Sequence, residues 1–102
     1  MIFIEEPGFA KARDHLFSDD DFAALQIWLL VSPESGDLIQ RSGGCRKLRW
    51  AAKGHGKRGG VRVIYFYRMS ADEILLLEMY SKNEKENLTA ADLKNLKKKI
   101  SR

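Results

Sequence analysis

Nine basic residues and no acidic ones lie between residues 38 and 71 of this chain. By contrast, residues 1–37 carry two basic and eight acidic side chains, and residues 72–102 carry seven and six. An unopposed block of cations is typical of a site for a polyanion such as nucleic acid. The alternative is that these are solvated strand faces that meet acidic helices after folding. The basic block consists of Arg41, Arg46, Lys47, Arg49, Lys53, Lys57, Arg58, Arg62 and Arg68.

Arg62 and Tyr80 have the clearest potential for chemistry. In a hairpin that turns near residues 69–72 they face each other if paired positions add up to 142, whereas a slip of one residue puts them on opposite faces. This end of the sheet would then carry cations and a phenol with no carboxylate nearby. Such a group could clamp a phosphate, stabilise its transition-state charge and supply a proton. The alternative for Tyr80 is core filling. The group consists of Lys47, Arg49, Lys53, Lys57, Arg58, Arg62, Tyr80 and Lys82.

Metal and cofactor chemistry lack their usual sequence motifs. The chain has no Walker-type loop, no His-Glu-x-x-His and no second cysteine beside Cys45. His15 and His55 are far apart in sequence, so we predict no metal and no cofactor. His55 could carry a proton near neutral pH, or it could simply be solvated.

The periodicity of apolar residues predicts an α+β domain in the order β, α, α, β, β, β, β, α. Its small antiparallel sheet would have the N-terminal helices and the C-terminal helix packed on one face. Four glycines in residues 52–60 predict a flexible basic loop leading into the strand of Arg62. The predicted strands are 2–5, 38–40, 45–51, 61–67 and 73–80, and the predicted helices are 9–17, 18–31 and 89–100.

The second helix is apolar on nearly every side, which packing on one sheet face does not require. One side could be left for a partner, or the helix could be sandwiched between the sheet and another helix. The sequence leaves both alternatives open.

The length of 102 residues predicts a single domain, 1–102, that buries roughly 65% of its unfolded surface. Hydrophobic residues make up 44% and charged residues 31%, which argues against disorder. The lone Cys45 suits a reducing compartment. No signal peptide or membrane-spanning stretch is evident, so we expect a soluble, cytoplasmic protein.

Three segments together resemble the RelE/HigB-type toxins of bacterial toxin–antitoxin systems. The resemblance extends over nearly the entire chain in order and length. It implies a RelE-like fold and a ribosome-dependent mRNA interferase, an endoribonuclease that cuts mRNA in the ribosomal A site. The segments are GGCRKLR at 43–49, KGHGKRGGVRVIY at 53–65 and MYSKNE at 79–84.

The resemblance also implies a mechanism and partners. The ribose 2′-hydroxyl attacks its own phosphate without a metal, and the partners are mRNA, the ribosome with its 16S rRNA, and a helical cognate antitoxin. Operator DNA would be bound only through the antitoxin complex, and no membrane is involved. The implied catalytic residues are Arg62, Lys53, Lys57, Tyr80 and Lys82, and the implied RNA-binding residues are Lys47, Arg49, His55 and Arg58.

The chain departs from the family pattern just after its last strand. Some members carry an arginine and a tyrosine there, where this chain has Asn83 and non-aromatic residues. The general acid and the general base therefore stay unassigned. Two other functions stay open, a non-catalytic nucleic-acid or ribosome-binding module and a ParE-type gyrase poison of the same fold.

Overall fold

A computed structural model describes residues 1–52, 60–85 and 87–101. The first part of the chain forms strand β1 (Ile2–Glu5) and helices α1 (Pro7–Leu16) and α2 (Asp19–Val31). Strands β2 (Asp37–Leu38), β3 (Arg46–Trp50), β4 (Val61–Arg68) and β5 (Glu73–Ser81) follow, with a short 3₁₀ turn at Met69–Ala71. Helix α3 (Ala90–Ile100) ends the domain. The predicted order of elements is confirmed for these residues.

The five strands form one sheet in the order β1-β5-β4-β3-β2. Neighbouring strands are antiparallel except β1, which pairs parallel to β5 with Ile2 opposite Glu73. The α+β class is therefore confirmed, but the sheet is mixed where the sequence predicted an antiparallel one. The short apolar run in 2–5 indicates a strand without indicating its direction, so the parallel pairing depends on the long connection through both helices.

The helices cover both faces of the sheet, so the prediction that they share one face is wrong. Phe9 of α1 and Leu25 and Leu29 of α2 pack with Val63 and Tyr65 of β4. On the opposite face, Leu96 of α3 packs in a second cluster against other core residues of β4 and β5, namely Ile64, Leu75 and Leu77. Both central strands carry apolar side chains on both faces, which is the pattern of strands covered on two sides.

Capping boxes begin α2 and α3. The Ser18 hydroxyl accepts a hydrogen bond from the Asp21 N–H at 3.1 Å, and the Asp21 carboxylate accepts one from the Ser18 N–H at 3.0 Å. Thr89 and Asp92 repeat the arrangement at 3.1 and 2.8 Å. Reciprocal bonds of this kind satisfy amides that have no partner within the helix, and they confirm both predicted helix starts.

The loop between α2 and β2 is fixed by the fully buried Tyr65. Its hydroxyl donates to the Pro33 carbonyl at 2.9 Å and accepts from the Gly36 N–H at 2.9 Å. A Cβ at Gly36 would lie 2.9 Å from that hydroxyl, so only glycine allows this approach. Arg46 closes the same loop from β3, donating to the carbonyls of Glu34 and Gly36 at 3.0 and 2.8 Å.

Candidate functional site

Arg49, Arg62 and Tyr80 form a row across the end of the three central strands. Arg49 of β3 pairs with Arg62 of β4, and Arg62 pairs with Tyr80 of β5. Because directly opposite residues project to the same face, these three side chains share the face on which α3 packs. Of the two registers that the sequence left open, the one with a pairing sum of 142 is found at this end of the hairpin.

A bulge in the hairpin is what places Tyr80 opposite Arg62. Near the turn the pairs Arg68–Glu73 and Tyr65–Leu76 add up to 141, and the register shifts between Ile64 and Tyr65. Without that shift, the register of the turn would set residue 79 opposite Arg62 and turn Tyr80 to the other face. Bulges re-aim side chains in this way.

The cations of the row are free to meet an anion. The Arg62 guanidinium is half-buried and donates a long hydrogen bond of 3.4 Å to the Gly60 carbonyl. Among the ion pairs of the described residues none involves Arg62, Arg49 or Lys47. Arg49 is exposed, and Lys47 lies one step further along the same face of β3. Lys82 is exposed in the turn after β5.

Tyr80 is only 5% exposed, and its hydroxyl is a buried atom with no hydrogen-bond partner among the described residues. Burial raises the pKa of this phenol above its usual value, and the negative charges of Glu78 and Asp92 raise it further, against the opposing charge of Arg62. The Lys85 ammonium lies 5.5 Å from the ring centre. Tyr80 is therefore a neutral phenol at physiological pH, which suits it to donate a proton.

The expectation that no carboxylate lies near this end of the sheet is wrong. Glu78 precedes Tyr80 by two positions on β5 and pairs with Ile64, so it lies on the face of the arginine row. One of its carboxylate oxygens is buried without a hydrogen-bond partner among the described residues. Side chains two positions apart on a strand share a face, and this period could have placed Glu78 beside Tyr80. Glu78 was not predicted because it does not belong to a cluster of carboxylates in the sequence.

Two members of the basic block hold the fold together. Arg46 closes the loop after α2, as described above. Arg68 lies 3.2 Å from the Glu73 carboxylate, donates to the Ile100 carbonyl at 3.1 Å and so ties the end of α3 to the sheet. Both residues therefore have structural roles, but neither pairs with an acidic helix as the alternative interpretation of the basic block expected. Four of the predicted site residues lie outside the described residues, namely Lys53, His55, Lys57 and Arg58.

Helix α2 leaves an apolar surface uncovered in the described part of the structure. Leu25 and Leu29 are fully buried, whereas Ile27, Trp28, Leu30 and Val31 are 47 to 79% exposed. These four exposed residues are called the α2 surface below. The observed exposure excludes a helix sandwiched between the sheet and another described helix, and it favours the alternative of a partner.

The described residues contain neither a candidate metal site nor a candidate membrane-spanning helix. Across residues 1–52, 60–85 and 87–101, no three His, Cys, Asp or Glu side chains lie close enough to hold a metal ion. No helix in the same described ranges is long and apolar enough to cross a membrane.

Comparison with known proteins identifies the family. The fold is similar to that of a double arginine-to-alanine mutant of the E. coli toxin RelE in the free state, with a TM-score of 0.62. The two share 13% sequence identity, and the match covers 97% of this chain and 95% of that chain. The family model described as the RelE toxin of the RelE/RelB toxin–antitoxin system matches residues 34–102. The chain therefore belongs to the RelE toxin family and is a toxin of a toxin–antitoxin system, whose partner is a cognate antitoxin.

Proposed function

We propose that this toxin is a ribosome-dependent endoribonuclease that inhibits translation by cutting mRNA in the ribosomal A site. The row of Arg49, Arg62 and Tyr80 is the observation that carries the proposal. It combines unpaired cations for a phosphate with a neutral phenol at one end of the sheet. The family membership supplies the context of a toxin.

The reaction proposed is attack by the ribose 2′-hydroxyl on the adjacent phosphorus, which forms a cyclic phosphate and releases a 5′-hydroxyl. Arg62 stabilises the extra negative charge that the phosphate acquires in the transition state. Lys53 and Lys57 assist from the loop before β4, and Lys82 from the turn after β5. Tyr80 supplies a proton, and the cations carry out the chemistry without a metal.

Binding of the RNA backbone is assigned to the remaining cations. Lys47 and Arg49 extend the row along β3, and His55 and Arg58 precede Arg62 in the sequence. Phosphate contacts of this kind give sequence-independent affinity that falls steeply with salt. A module that only bound nucleic acid would use the same cations, and Tyr80 would then only fill the second core cluster, to which it belongs. Core filling does not require a buried hydroxyl without a hydrogen-bond partner among the described residues. Tyr80 therefore favours the catalytic function over the binding module.

We assign the α2 surface to the antitoxin. An exposed apolar patch next to an ordered core is typical of a protein interface. It lies on the opposite side of the sheet from the arginine row, since α2 packs on the face away from α3. The antitoxin could therefore occupy this surface while a second segment masks the basic residues. Binding of operator DNA would belong to the resulting complex, and the site of action is the cytoplasm.

Primer extension on a reporter mRNA tests the proposed activity. After brief induction of the toxin in growing bacteria, we expect new 5′ ends within codons, which disappear when the message is not translated. The same experiment with Arg62→Ala should give none of these ends. Intact message in cells that make the folded wild-type toxin would contradict the proposal.

A further inference from the structure

Glu78 is a carboxylate with no evident structural task. It is half-buried, and one of its carboxylate oxygens is buried without a hydrogen-bond partner among the described residues. None of the ion pairs of residues 1–52, 60–85 and 87–101 includes it. A buried carboxylate oxygen without a donor costs stability, so its presence here points to a group that binds there.

Glu78 and Tyr80 line one cleft at the free edge of β5. Pairing with β1 ends where the Glu6 N–H donates to the Leu76 carbonyl, and no strand among the described residues pairs with β5 beyond that point on this side. A cleft of about 270 Å³ opens there. Its lining residues are Gly8, Glu78, Met79, Tyr80, Glu84, Lys85 and Lys99.

The other carboxylate of the cleft is already engaged. Glu84 accepts hydrogen bonds from the Ser81 hydroxyl at 3.1 Å and from the Ser81 N–H at 3.4 Å, which closes the turn after β5. The two buried oxygens without partners therefore belong to Glu78 and Tyr80, the two residues that flank Met79 on the site face of the strand.

We propose that Glu78 is the general base and Tyr80 the general acid of the RNA cleavage, an inference that rests on the proposed function. The Glu78 carboxylate takes the proton of the 2′-hydroxyl as the bond from O2′ to phosphorus forms. The bond from phosphorus to O5′ breaks, and the Tyr80 hydroxyl gives its proton to O5′. Water then returns a proton to the phenolate and removes one from Glu78, so the enzyme is unchanged.

The spacing of the pair suits this reaction. Residues two apart on a strand are separated by about 6.7 Å at their backbones, and the attacking and leaving oxygens lie on opposite sides of the phosphorus. Arg62 does not line the cleft; it pairs with Tyr80 from β4, and its long side chain would hold the phosphate from that side. RNA must displace the Lys85 side chain, because its ammonium lies over the Tyr80 ring and is bound to Asp92 at 3.1 Å.

The charges around the phenol determine which member is the acid. Glu78, Glu84 and Asp92 are negative neighbours on β5, the following turn and α3, whereas Arg62, Lys85 and Lys99 are positive. Burial and the charge of Glu78 both keep the phenol protonated, with a pKa above its usual value. A protonated phenol cannot accept the proton of the 2′-hydroxyl, so we assign the role of general base to the Glu78 carboxylate.

A leaving group that needs no proton separates the two roles. Purified ribosomes are programmed with one of two mRNAs, whose leaving atom at the 5′ position of the scissile bond is either oxygen or sulfur. The sulfur leaves as a thiolate without being protonated, because thiols are more acidic than alcohols. Glu78→Gln should slow cleavage of both RNAs by on the order of 10²-fold or more, the usual effect of losing a general acid or base. Tyr80→Phe should slow cleavage of the oxygen RNA alone. Glu84→Gln, the matched control from the same cleft, should cleave both RNAs like the wild type.

Three results would overturn the assignment. The first is that folded Glu78→Gln toxin cleaves the oxygen RNA at the wild-type rate. The second is that Glu78→Gln toxin cleaves the sulfur RNA as fast as the wild type does, which would make Glu78 the general acid that protonates the leaving group. The third result concerns a second variant, Glu78→Ala, whose cleavage activity should increase when formate is added in place of the missing carboxylate. If formate does not increase the activity of folded Glu78→Ala toxin, Glu78 is not the general base. Failure of the wild-type toxin to cut either RNA would instead refute the proposed function itself.

Discussion

Arg62 and Arg68 belong to the same strand and the same basic block, but the structure gives them different tasks. Arg62 makes one long hydrogen bond, to the Gly60 carbonyl. Arg68 pairs with Glu73, donates to the Ile100 carbonyl and lies 5.7 Å from the Phe66 ring centre. Replacing each by alanine should therefore affect catalysis in one case and stability in the other.

The magnitudes follow from these contacts. Arg62→Ala loses one weak bond at a half-exposed position, so the free energy of unfolding should fall by less than about 1 kcal/mol. Arg68→Ala leaves the partly buried Glu73 without its cation and frees the end of α3, which should cost about 2 to 3 kcal/mol. For a domain of this size that cost lowers the melting temperature by on the order of 10 to 20 °C. The rate of mRNA cleavage should fall ~10²- to 10³-fold for Arg62→Ala, the usual effect of losing one donor to a transition-state oxyanion.

Two measurements check the prediction. Thermal unfolding followed by circular dichroism gives the stabilities, and single-turnover cleavage on programmed ribosomes gives the rates at a temperature where both variants are folded. The assignment of Arg62 is refuted if its variant cleaves within about threefold of the wild type, a difference too small for a lost transition-state contact. It is equally refuted if folded Arg68→Ala toxin loses cleavage to the same extent as Arg62→Ala.

Three further predictions concern the partner and the fold. Trp28 is 47% and Val31 79% exposed, so Trp28→Ser and Val31→Ser should both leave the toxin folded. In calorimetry, Trp28→Ser should weaken antitoxin binding by about 30-fold or more. Unchanged affinity for both variants would show that the antitoxin does not bind the α2 surface. Tyr65→Phe should lower the free energy of unfolding in urea by about 2 kcal/mol, because it leaves the buried Gly36 N–H and the part-buried Pro33 carbonyl without their partner. The pKa of Asp92 is lowered, first by the hydrogen bond from the Thr89 N–H and then by Lys85. Its contribution to stability is therefore present above its unfolded pKa and lost as the pH falls through the lower folded value, so Asp92→Asn should flatten the loss of stability in acid.

Much of the site could be predicted because its signals are local. The β-branched, aromatic and aliphatic runs at 61–67 and 73–80, joined by a short segment at 69–72, predict the hairpin and confine Arg62 and Tyr80 to neighbouring strand ends. The helix starts at Ser18 and Thr89 follow from capping boxes read within four residues. The strand at 38–40 was less well predicted, since β2 has only two residues, Asp37–Leu38, and its pairing depends on β3.

The remainder could not be predicted because it depends on which distant residues pack together. The separate tasks of Arg46 and Arg68 arise from carbonyls 10 and 12 residues away in the chain for Arg46 and 32 residues away for Arg68. The exposure of the α2 surface depends on which side of α2 is covered by α1 and the sheet, and this cannot be read from the sequence of α2 alone.

The sequence by itself determined the order of strands and helices, the hairpin and the collection of cations at one of its ends. These depend on hydrophobic period, turn residues and caps, whose energies act between residues close together in the chain. Tertiary structure alone decided that β1 runs parallel to β5, that the helices cover both faces, and that a bulge turns Tyr80 and Glu78 towards Arg62. The physical reason is that a register shift of one residue changes little locally, but it exchanges the buried and exposed faces of a strand, so packing of the whole core selects it.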